Sequence, residues 1–431
     1  MPDEYHTNGS KEILAGLDDL LPSLEASYKD LHSHPELSMQ EHRTSKIAAE
    51  HLEKHGYKVT KGIGGTGLIG VLENGKGPTI MLRADMDGLP LKENTGLDYA
   101  STTTVKGDDQ DGDGTSTSTP VAHACGHDMH VTWLMGVSQL FASNQGSWSG
   151  TLVILFQPGE ETAEGALSML NDGLHDILPS KPQVVLGQHV MVLPSGTVSA
   201  RSGPITFAAD SLEIHLYGKG AHGSMPQSSI DPIVMASSVV LKLQKIVSRE
   251  LSPSDMAVVT VGSIHAGSAP NIIPDEAVIQ MNIRTLDTAV RKRVIESIER
   301  IVNAESKASN APKSPKITTI DSYPLNVNDE ESTSRVQDAM RGYFGKEKVR
   351  DTNPNPASED FGCFGTELRI PSVYWFVGGT DPDVYQKAEK EGTVHQLPVN
   401  HSPDFAPVLH PTLKTGVEAM VTAAMAWMGK E

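Results

Sequence analysis

The first part of the chain alternates stretches of helical apolar spacing with short, continuously apolar runs. Helical spacing extends from about Ile13 to Leu31 and again from Thr44 to His55, where Gly56 follows as a C′ glycine would. Turn residues bound four apolar runs, which predict buried strands of a mostly parallel sheet: LIGVL, TIMLRAD, TLVILFQP and VVLGQHV. Polar residues follow several of these runs, where open α/β sheets place their ligands.

The pattern changes near Ser202. Apolar and polar residues alternate from Ile205 to Gly218, which predicts a half-exposed strand. A helix follows, with Asp231 as N-cap before Pro232, and then two strands, a charged helix and a last strand. This β-α-β-β-α-β order is typical of a ferredoxin-like unit. We therefore predict an α/β fold in which a mixed, mostly parallel sheet is flanked by helices and a ferredoxin-like α+β domain with an exposed face suited to dimerisation is inserted, with the two parts of the larger domain at 1–202 and 324–431 and the insert at 203–323.

Composition and charge argue against several classes of protein. The chain has 431 residues and a formal net charge of -19, which argues against a nucleic-acid partner or an anionic membrane surface. The N-terminus resembles neither a signal nor a transit peptide, and no run of about 18 apolar residues occurs. The two cysteines, Cys125 and Cys363, exclude a disulfide framework, so we expect a reducing compartment, the cytoplasm.

Two motifs are misleading. The low-complexity segment 101–120 predicts an exposed loop that imitates the start of a calcium-binding loop, but Pro120 stands where a bidentate Glu is needed; its acidic positions are Asp109, Asp111 and Asp113. A glycine pattern like the dinucleotide fingerprint leads into a strand instead of a helix, which excludes that function; it consists of Gly62, Gly64 and Gly67.

The densest cluster of chemically active residues is HACGHDMH, with His123, Cys125, His127, Asp128 and His130. Thiolate and imidazole are strong ligands for a divalent metal, and side chains two residues apart converge on a turning backbone. The alternative is a polar turn that caps the following helix. A metal site therefore needs further ligands from distant segments.

Three other segments supply such ligands. Glu160 and Glu161 follow a buried strand and a Pro-Gly turn, so one carboxylate could bind metal while the other acts as a base, although such pairs also occur at solvated helix N-termini. His189 ends an apolar strand, and His401 lies in a loop before the last helix. Each histidine alone is weak evidence, but together they complete the number of ligands that a dinuclear site needs.

Two segments would support this site. Asp85 and Asp87 follow the strand TIMLRAD and could accept hydrogen bonds from ligating imidazoles, unless they form a plain acidic turn. His222 lies in the Gly-rich loop GKGAHGSMP, which could present it to a partner surface or to solvent.

Together these segments resemble the aminoacylase and carboxypeptidase type of dinuclear metallopeptidase. They are most similar to its branch of auxin-conjugate hydrolases, hippurate hydrolases and N-acyl amino acid amidohydrolases. The matching segments occur in family order: HSHPELSMQE, MLRADMDGLP, HACGHDMH, LFQPGEETAEGA, GQHV, GKGAHGSMP, DPIVMASSVV, IVSRE, NIIPDEA, ASEDF and NHSPDF. The resemblance implies the same two-domain architecture, a catalytic α/β domain with an inserted lid that mediates dimerisation.

The resemblance also implies roles for individual residues. The metal ligands would be Cys125, His127, Glu161, His189 and His401, with Cys125 bridging the ions. Glu160 would be the general base, and His222 would reach the neighbouring subunit's site. Asn271 and Arg284 would hold the substrate. The chain departs from the family at the long acidic loop and at MNIRT, where a Gly-Thr pair usually precedes the arginine.

The predicted function is hydrolysis of the amide bond of N-acyl amino acids or related small conjugates. Two divalent ions, zinc or manganese and alternatively cobalt or nickel, would activate a water from which Glu160 takes a proton. A dipeptidase or carboxypeptidase is the alternative within the enzymes. A homologue that binds metal or ligand without turnover is the alternative from another class.

Overall fold

The computed structural model describes residues 9–106 and 118–429. Asp109, Asp111 and Asp113, the acidic positions that imitate a calcium-binding loop, lie outside these residues. In chain order the strands are β1 Lys58–Ile63, β2 Gly67–Asn74, β3 Thr79–Asp85, β4 Thr104–Lys106, β5 Ser118–Pro120, β6 Gly150–Gln157, β7 Val184–Pro194, β8 Val198–Ala200, β9 Gly203–Thr206, β10 Ala208–Tyr217, β11 Ala221–His222, β12 Ala257–Ala266, β13 Ile272–Ile273, β14 Glu276–Thr285, β15 Lys316–Tyr323, β16 Asn326–Asn328, β17 Val349–Asp351 and β18 Ser372–Thr380.

The α-helices of the described residues differ widely in length. After a first helical stretch at residues 9–14, they are α1 Leu17–Ser33, α2 His42–Lys54, α3 His127–Ser143, α4 Gly165–Asn171, α5 Leu174–Ile177, α6 Pro232–Lys245, α7 Thr288–Ala308, α8 Glu330–Phe344, α9 Gly362–Leu368, α10 Pro382–Glu391 and α11 Leu409–Met428. A π-helical turn, Ile246–Glu250, continues α6. None of the helices in the described ranges has the length and apolar character needed to span a bilayer.

The chain divides into two compact units. Unit 1 contains the described residues up to Ile205, the segment Val327–Asn353 and the described residues from Asp360 onward. Unit 2 contains Thr206–Asn326 and the short segment Pro354–Glu359. That short segment joins unit 2 through an isolated bridge between Thr206 and Asn355.

Unit 1 is built on an eight-stranded sheet in the order β1-β2-β6-β3-β7-β18-β8-β17. The central strands β6, β3, β7 and β18 run parallel. Alternate residues of β6 enter opposite cores: Leu152 and Ile154 pack with α1 and α3, whereas Val153 and Leu155 pack with α4 and α9. Helices therefore cover both faces, which explains the continuously apolar strands and confirms the predicted mixed, mostly parallel sheet.

Unit 2 has a four-stranded antiparallel sheet in the order β12-β14-β10-β15. Its inward side chains pack against α6 and α7, which contribute Val239 and Val294 to one apolar core. The Asp231 side chain accepts hydrogen bonds from two backbone N–H groups at the start of α6, as predicted. The element order β10-α6-β12-β14-α7-β15 is the β-α-β-β-α-β order read from the sequence.

Two connections in unit 1 join pairs of antiparallel strands. The misleading glycines join the antiparallel strands β1 and β2 instead of opening a helix, and Gly62 and Gly64 have φ of +76° and +64°. Further along, β4 pairs with β5 in antiparallel register, with Lys106 opposite Ser118. Each connection begins and ends at a paired strand.

Candidate active site

The candidate site lies where parallel strands of unit 1 end at one edge of the sheet. Asp85 ends β3 opposite Gln157 of β6, and the turn that carries Glu160 follows Gln157 directly. His189 lies on β7, which also pairs in parallel with β3. Helix α3 begins nearby after Gly126, whose φ is +91° and where a Cβ atom would lie 2.4 Å from Val190. Glycine is therefore needed at the turn that presents the HACGHD segment.

The structure brings the five predicted metal ligands into two overlapping groups. Ligand atoms of Cys125, His127 and His189 all lie within 4.8 Å of one another, and so do those of Cys125, Glu161 and His401. The Cys125 sulfur belongs to both groups and is 3.3 Å from His189 Nε2. His401 Nε2 lies 3.3 Å from a Glu161 oxygen. One sulfur shared by two sets of ligand atoms is an arrangement that can hold two metal ions side by side.

Hydrogen bonds orient two of the imidazole rings towards this centre. His127 Nδ1 lies 3.1 Å from Asp87 Oδ1, which leaves Nε2 directed inward. His189 Nδ1 donates to the Val190 carbonyl at 2.7 Å, so its Nε2 also presents a lone pair. His127 Nε2 is buried without a hydrogen-bond partner among the described residues, and Glu161 Oε1 has none of good geometry, although His401 Nε2 lies 3.3 Å from it. Buried polar atoms are rarely unpaired, and a divalent cation would satisfy both.

The electrostatics of the Cys125 thiol fit the same interpretation. Burial, together with Glu161, Glu160 and Asp85, raises the pKa of Cys125 well above its usual value. Asp85 and Asp87 outweigh the effect of burial on His127 and raise its pKa to about 10. This pocket therefore favours positive charge, and a bound cation would allow the thiol to ionise and the imidazole to lose its proton. The donor set fits two divalent ions.

Asp85 belongs to a buried network behind the ligands. His130 Nδ1 lies 2.5 Å from Asp85 Oδ1, and the Val190 N–H donates to His130 Nε2 at 2.9 Å. Since Nε2 accepts a hydrogen bond, Nδ1 is the ring nitrogen that donates to Asp85. Arg83 donates to Asp85 Oδ2 at 2.7 Å. Burial opposes ionisation of Asp85, but Arg83 and the two histidines hold its pKa well below the usual range.

Glu160 belongs to neither of these two groups, although one of its oxygens lies within 4.8 Å of ligand atoms of His127 and Glu161. It is 5% exposed, and its Oε2 atom is 3.9 Å from His127 Nε2. The backbone N–H of Glu161 donates to Asp87 Oδ2 at 2.9 Å. The chain is therefore held between the two neighbouring glutamates, and their carboxylates lie in different surroundings. This position is compatible with a proton-transferring group that acts on a molecule held by the ligands.

The other three predicted residues lie in unit 2. His222 is exposed, with Nδ1 2.8 Å from the Ser224 hydroxyl. The two-stranded pair of β11 and β13 brings Asn271 close to it, since the Gly223 N–H donates to the Asn271 carbonyl at 2.8 Å. Arg284 lies on β14 and donates to the Pro356 carbonyl at 2.7 Å. Within unit 2, His222 and Asn271 are therefore local neighbours.

Two supporting residues escaped the sequence analysis. The Asn400 amide donates to the carbonyls of Cys125 and Val190 at 3.0 and 3.1 Å, so it ties the His401 loop to two ligand segments. His32 lies between Asp128, at 2.6 Å, and Glu93, at 3.0 Å. Although burial opposes its charge, Asp128 and Glu93 raise the pKa of His32 to about 10. Their sequence signal was that His32 begins the segment HSHPELSMQE and Asn400 begins the segment NHSPDF, both of which match the family.

The chain belongs to peptidase family M20/M25/M40, whose sequence profile matches residues 81–397. The predicted membership of the aminoacylase and carboxypeptidase type of metallopeptidase is therefore confirmed, and with it the prediction of a hydrolase. The candidate ligands Cys125 to His189 fall inside the matched region, whereas His401 follows it.

Individual relatives agree with this assignment. The chain is 38% identical to the hippurate hydrolase of Campylobacter jejuni over 80% of this chain and 86% of that protein. It is 35% identical to thermostable carboxypeptidase 1 of Saccharolobus solfataricus over 93% of this chain and 94% of that protein. A solved structure from Bacillus subtilis, described as a dinuclear metal binding peptidase from this family, matches 95% of this chain and 98% of its own with a TM-score of 0.72 and 26% identity.

Proposed function

We propose that the chain hydrolyses the amide bond of N-acyl amino acids or closely related small conjugates with two divalent metal ions. The observation that carries the proposal is the Cys125 sulfur, which belongs to both ligand groups while Glu160 lies beside them. The relatives named hippurate hydrolase and N-acetyl-L-cysteine deacetylase support the substrate class.

The side chains divide the chemical work. Two divalent ions held by the five ligands would lower the pKa of a shared water from about 15.7 towards neutrality and polarise the amide carbonyl. Glu160 accepts the proton of the attacking water at its carboxylate and returns it to the departing amine. Asp87 keeps His127 in the tautomer that presents Nε2. Because Glu160 is buried, bulk water has little access to the proton that its carboxylate carries during the reaction.

Unit 2 would complete the site of a second copy of the chain. His222 is exposed, so its ring can donate to the carbonyl oxygen of a substrate held by a neighbouring copy, a contribution of about 3 kcal/mol per donor. Asn271 and Arg284 would hold the substrate's carboxylate or carbonyl. A homodimer through unit 2 is supported by exposed apolar side chains on α6, where Val234 and Leu241 are 65% and 72% exposed.

Zinc or manganese is the proposed metal. A bridging thiolate suits zinc, whereas the imidazole and carboxylate ligands also accept manganese, cobalt or nickel. The proposed compartment is the cytoplasm, supported by Cys125 and Cys363, which are buried free thiols.

A carboxypeptidase or dipeptidase is the second candidate. Two thermostable carboxypeptidases are 35% identical over 93% of this chain, and this favours a peptide substrate. The two candidates differ in one group, because a dipeptide carries a free amine where an acylated amino acid carries none. Matched N-acetyl and free dipeptides therefore separate them.

The test is metal-dependent hydrolysis by the purified chain. Protein stripped with a chelator is reloaded separately with zinc, manganese, cobalt or nickel and offered N-acyl amino acids and dipeptides. We expect free amino acid from the acylated substrates only after reloading. Glu160→Gln should retain about two ions per chain but lose turnover by about 10²–10⁴-fold. Glu164→Gln changes an exposed carboxylate on the same loop and should leave turnover unchanged.

Two results would contradict the proposal. The first is full turnover by Glu160→Gln, because no other group is assigned to take the proton. The second is loss of metal together with loss of turnover in this variant, which would make Glu160 a ligand. Release of product from free dipeptides alone would favour the carboxypeptidase or dipeptidase.

A further inference from the structure

We infer that Glu41 is a positioning residue that fixes the direction of the Glu160 carboxylate. The inference rests on the proposed function, since it takes Glu160 as the proton acceptor. Glu41 is fully buried and ends the segment Ser38–Glu41, called the positioning turn below, which immediately precedes α2. It is separated from the Glu160 turn by a long stretch of chain but contacts it directly.

The Glu41 carboxylate holds the backbone on the N-terminal side of Glu160. Oε1 accepts the Gly159 N–H at 2.8 Å and the Met39 N–H at 2.8 Å, while Oε2 accepts the Thr66 hydroxyl. Burial raises the pKa of Glu41, so its environment disfavours the charge. What the residue supplies to Gly159 is therefore a correctly placed acceptor.

A second buried carboxylate holds the backbone on the other side. The Glu161 N–H donates to Asp87 Oδ2 at 2.9 Å, and the Ser38 hydroxyl donates to the same oxygen at 2.6 Å. The N–H groups of the residues before and after Glu160 thus both end on buried carboxylates, and both carboxylates are bonded to the positioning turn. Asp87 holds the Glu160–Glu161 peptide plane directly, whereas Glu41 holds the Pro158–Gly159 plane, one residue before Glu160. The plane between these two contains the Gly159 carbonyl, which accepts the Gly165 N–H, so the backbone is held on both sides of Glu160.

Close packing reinforces these hydrogen bonds. Met39 has a φ of +62° and Gly159 a φ of +53°, and a Cβ atom at Gly159 would lie 2.5 Å from the Met39 sulfur. The Gly165 N–H donates to the Gly159 carbonyl at 3.0 Å, which closes the turn. The positioning turn therefore contacts the Glu160 turn over both polar and apolar atoms. A displacement of about 1 Å at a reacting group can cost about 10²-fold in rate.

The test compares variants that differ in the placement of one acceptor. Glu41→Ala removes it, Glu41→Asp draws it back by one methylene, and Glu41→Gln retains a carbonyl oxygen for Gly159. Glu36→Ala is the matched control, since Glu36 also accepts two backbone N–H groups, those of Arg43 and Thr44, but at the start of α2. The readouts are hydrogen exchange of the peptide that spans residues 157–165, metal content, kcat and KM.

We expect Glu41→Ala to exchange the 157–165 amides at least about tenfold faster and to lower kcat by about 10–100-fold. KM should stay within about twofold and the metal content should be unchanged, because the ligands themselves are not altered. Glu41→Asp should change both quantities in the same direction, and it keeps the test valid if the alanine variant does not fold. Glu41→Gln should restore both exchange and kcat, whereas Glu36→Ala should change neither.

Unchanged exchange at 157–165 in both Glu41→Ala and Glu41→Asp would overturn the inference. So would a loss of kcat in Glu41→Ala that Glu36→Ala reproduces, because that would indicate general destabilisation. If the wild-type protein hydrolyses no acylated substrate or dipeptide, the proposed function fails, and hydrogen exchange alone then decides whether Glu41 holds the turn.

Discussion

Replacement of Asp87 by asparagine should weaken metal binding without unfolding the chain. Asp87 is 1% exposed and accepts three hydrogen bonds, from His127 Nδ1, from the Ser38 hydroxyl and from the Glu161 N–H. An asparagine has one acceptor oxygen. If this oxygen faces His127, the amide NH₂ meets the Glu161 N–H. If it faces Glu161, the NH₂ meets the His127 ring nitrogen and favours the tautomer with its proton on Nε2, where the metal would bind.

The second orientation pairs these groups in the metal-free protein, but a metal on Nε2 forces the first, which leaves buried N–H groups facing each other at a cost of about 1–3 kcal/mol. Since 1.4 kcal/mol corresponds to a factor of about ten, the metal dissociation constant should rise by about 10–100-fold. Competition with a chromophoric chelator at fixed pH measures this constant. Asp172→Asn is the matched control, because Asp172 accepts the Gly64 N–H at 2.9 Å and belongs to neither ligand group. A dissociation constant within twofold of wild type in Asp87→Asn would refute the reasoning.

Two further predictions concern stability. The folded state raises the pKa of His32 from 6.5 to about 10, so its stabilising contribution is complete below about pH 6.5 and is lost as the pH rises through 10. The difference in urea unfolding free energy between wild type and His32→Gln should therefore shrink between pH 6 and pH 10, and a constant difference would contradict this. Gly416→Ala would place a Cβ atom 2.0 Å from buried Trp133 and should lower the unfolding free energy by about 1–3 kcal/mol. At Gly146 an added Cβ atom would meet nothing within 4 Å outside its chain neighbours, so Gly146→Ala should change the unfolding free energy by less than about 0.5 kcal/mol, and equal effects of the two would argue against overpacking.

The fold could be predicted because a strand that is buried on both faces has a continuously apolar sequence. Ile80, Met81 and Leu82 of β3 are all fully buried, since helices cover both sides of the sheet, and this produces a continuous apolar run. Asp231 and Pro232 marked the start of α6 for an equally local reason. Local sequence patterns do not show which distant segments pair with each other, however. The segment Pro354–Glu359 joins unit 2 through single contacts such as the Phe207 N–H to the Ala357 carbonyl.

The candidate site also contains some features that local sequence patterns indicate and others that depend on long-range contacts. Its metal-binding residue types stand in short, distinctive segments, and the structure brings Cys125, Glu161 and His401 together. The residues that orient them also lie in such segments, since Glu41 ends HSHPELSMQE and Asn400 begins NHSPDF, but no local pattern indicates what they contact. Glu41 reaches Gly159 through one hydrogen bond, and Asn400 reaches Cys125 through another. A contact between two atoms of distant segments produces no periodicity, and its geometry depends on turns that propensity does not specify.

The pairing of β4 with β5 bears on how this protein could be engineered. Lys106 and Ser118 are held opposite each other, and a second bridge joins Leu89 to Ala122 just before the HACGHD segment. Lys106 and Ser118 are thus held by strand pairing on either side of residues 107–117. Each doubling of the length of a loop costs only about 0.6 kcal/mol in closure entropy. A reporter peptide inserted between Lys106 and Ser118 should therefore leave the pairing of β4 with β5 and the start of α3 in place, which makes this position a suitable attachment point for a probe.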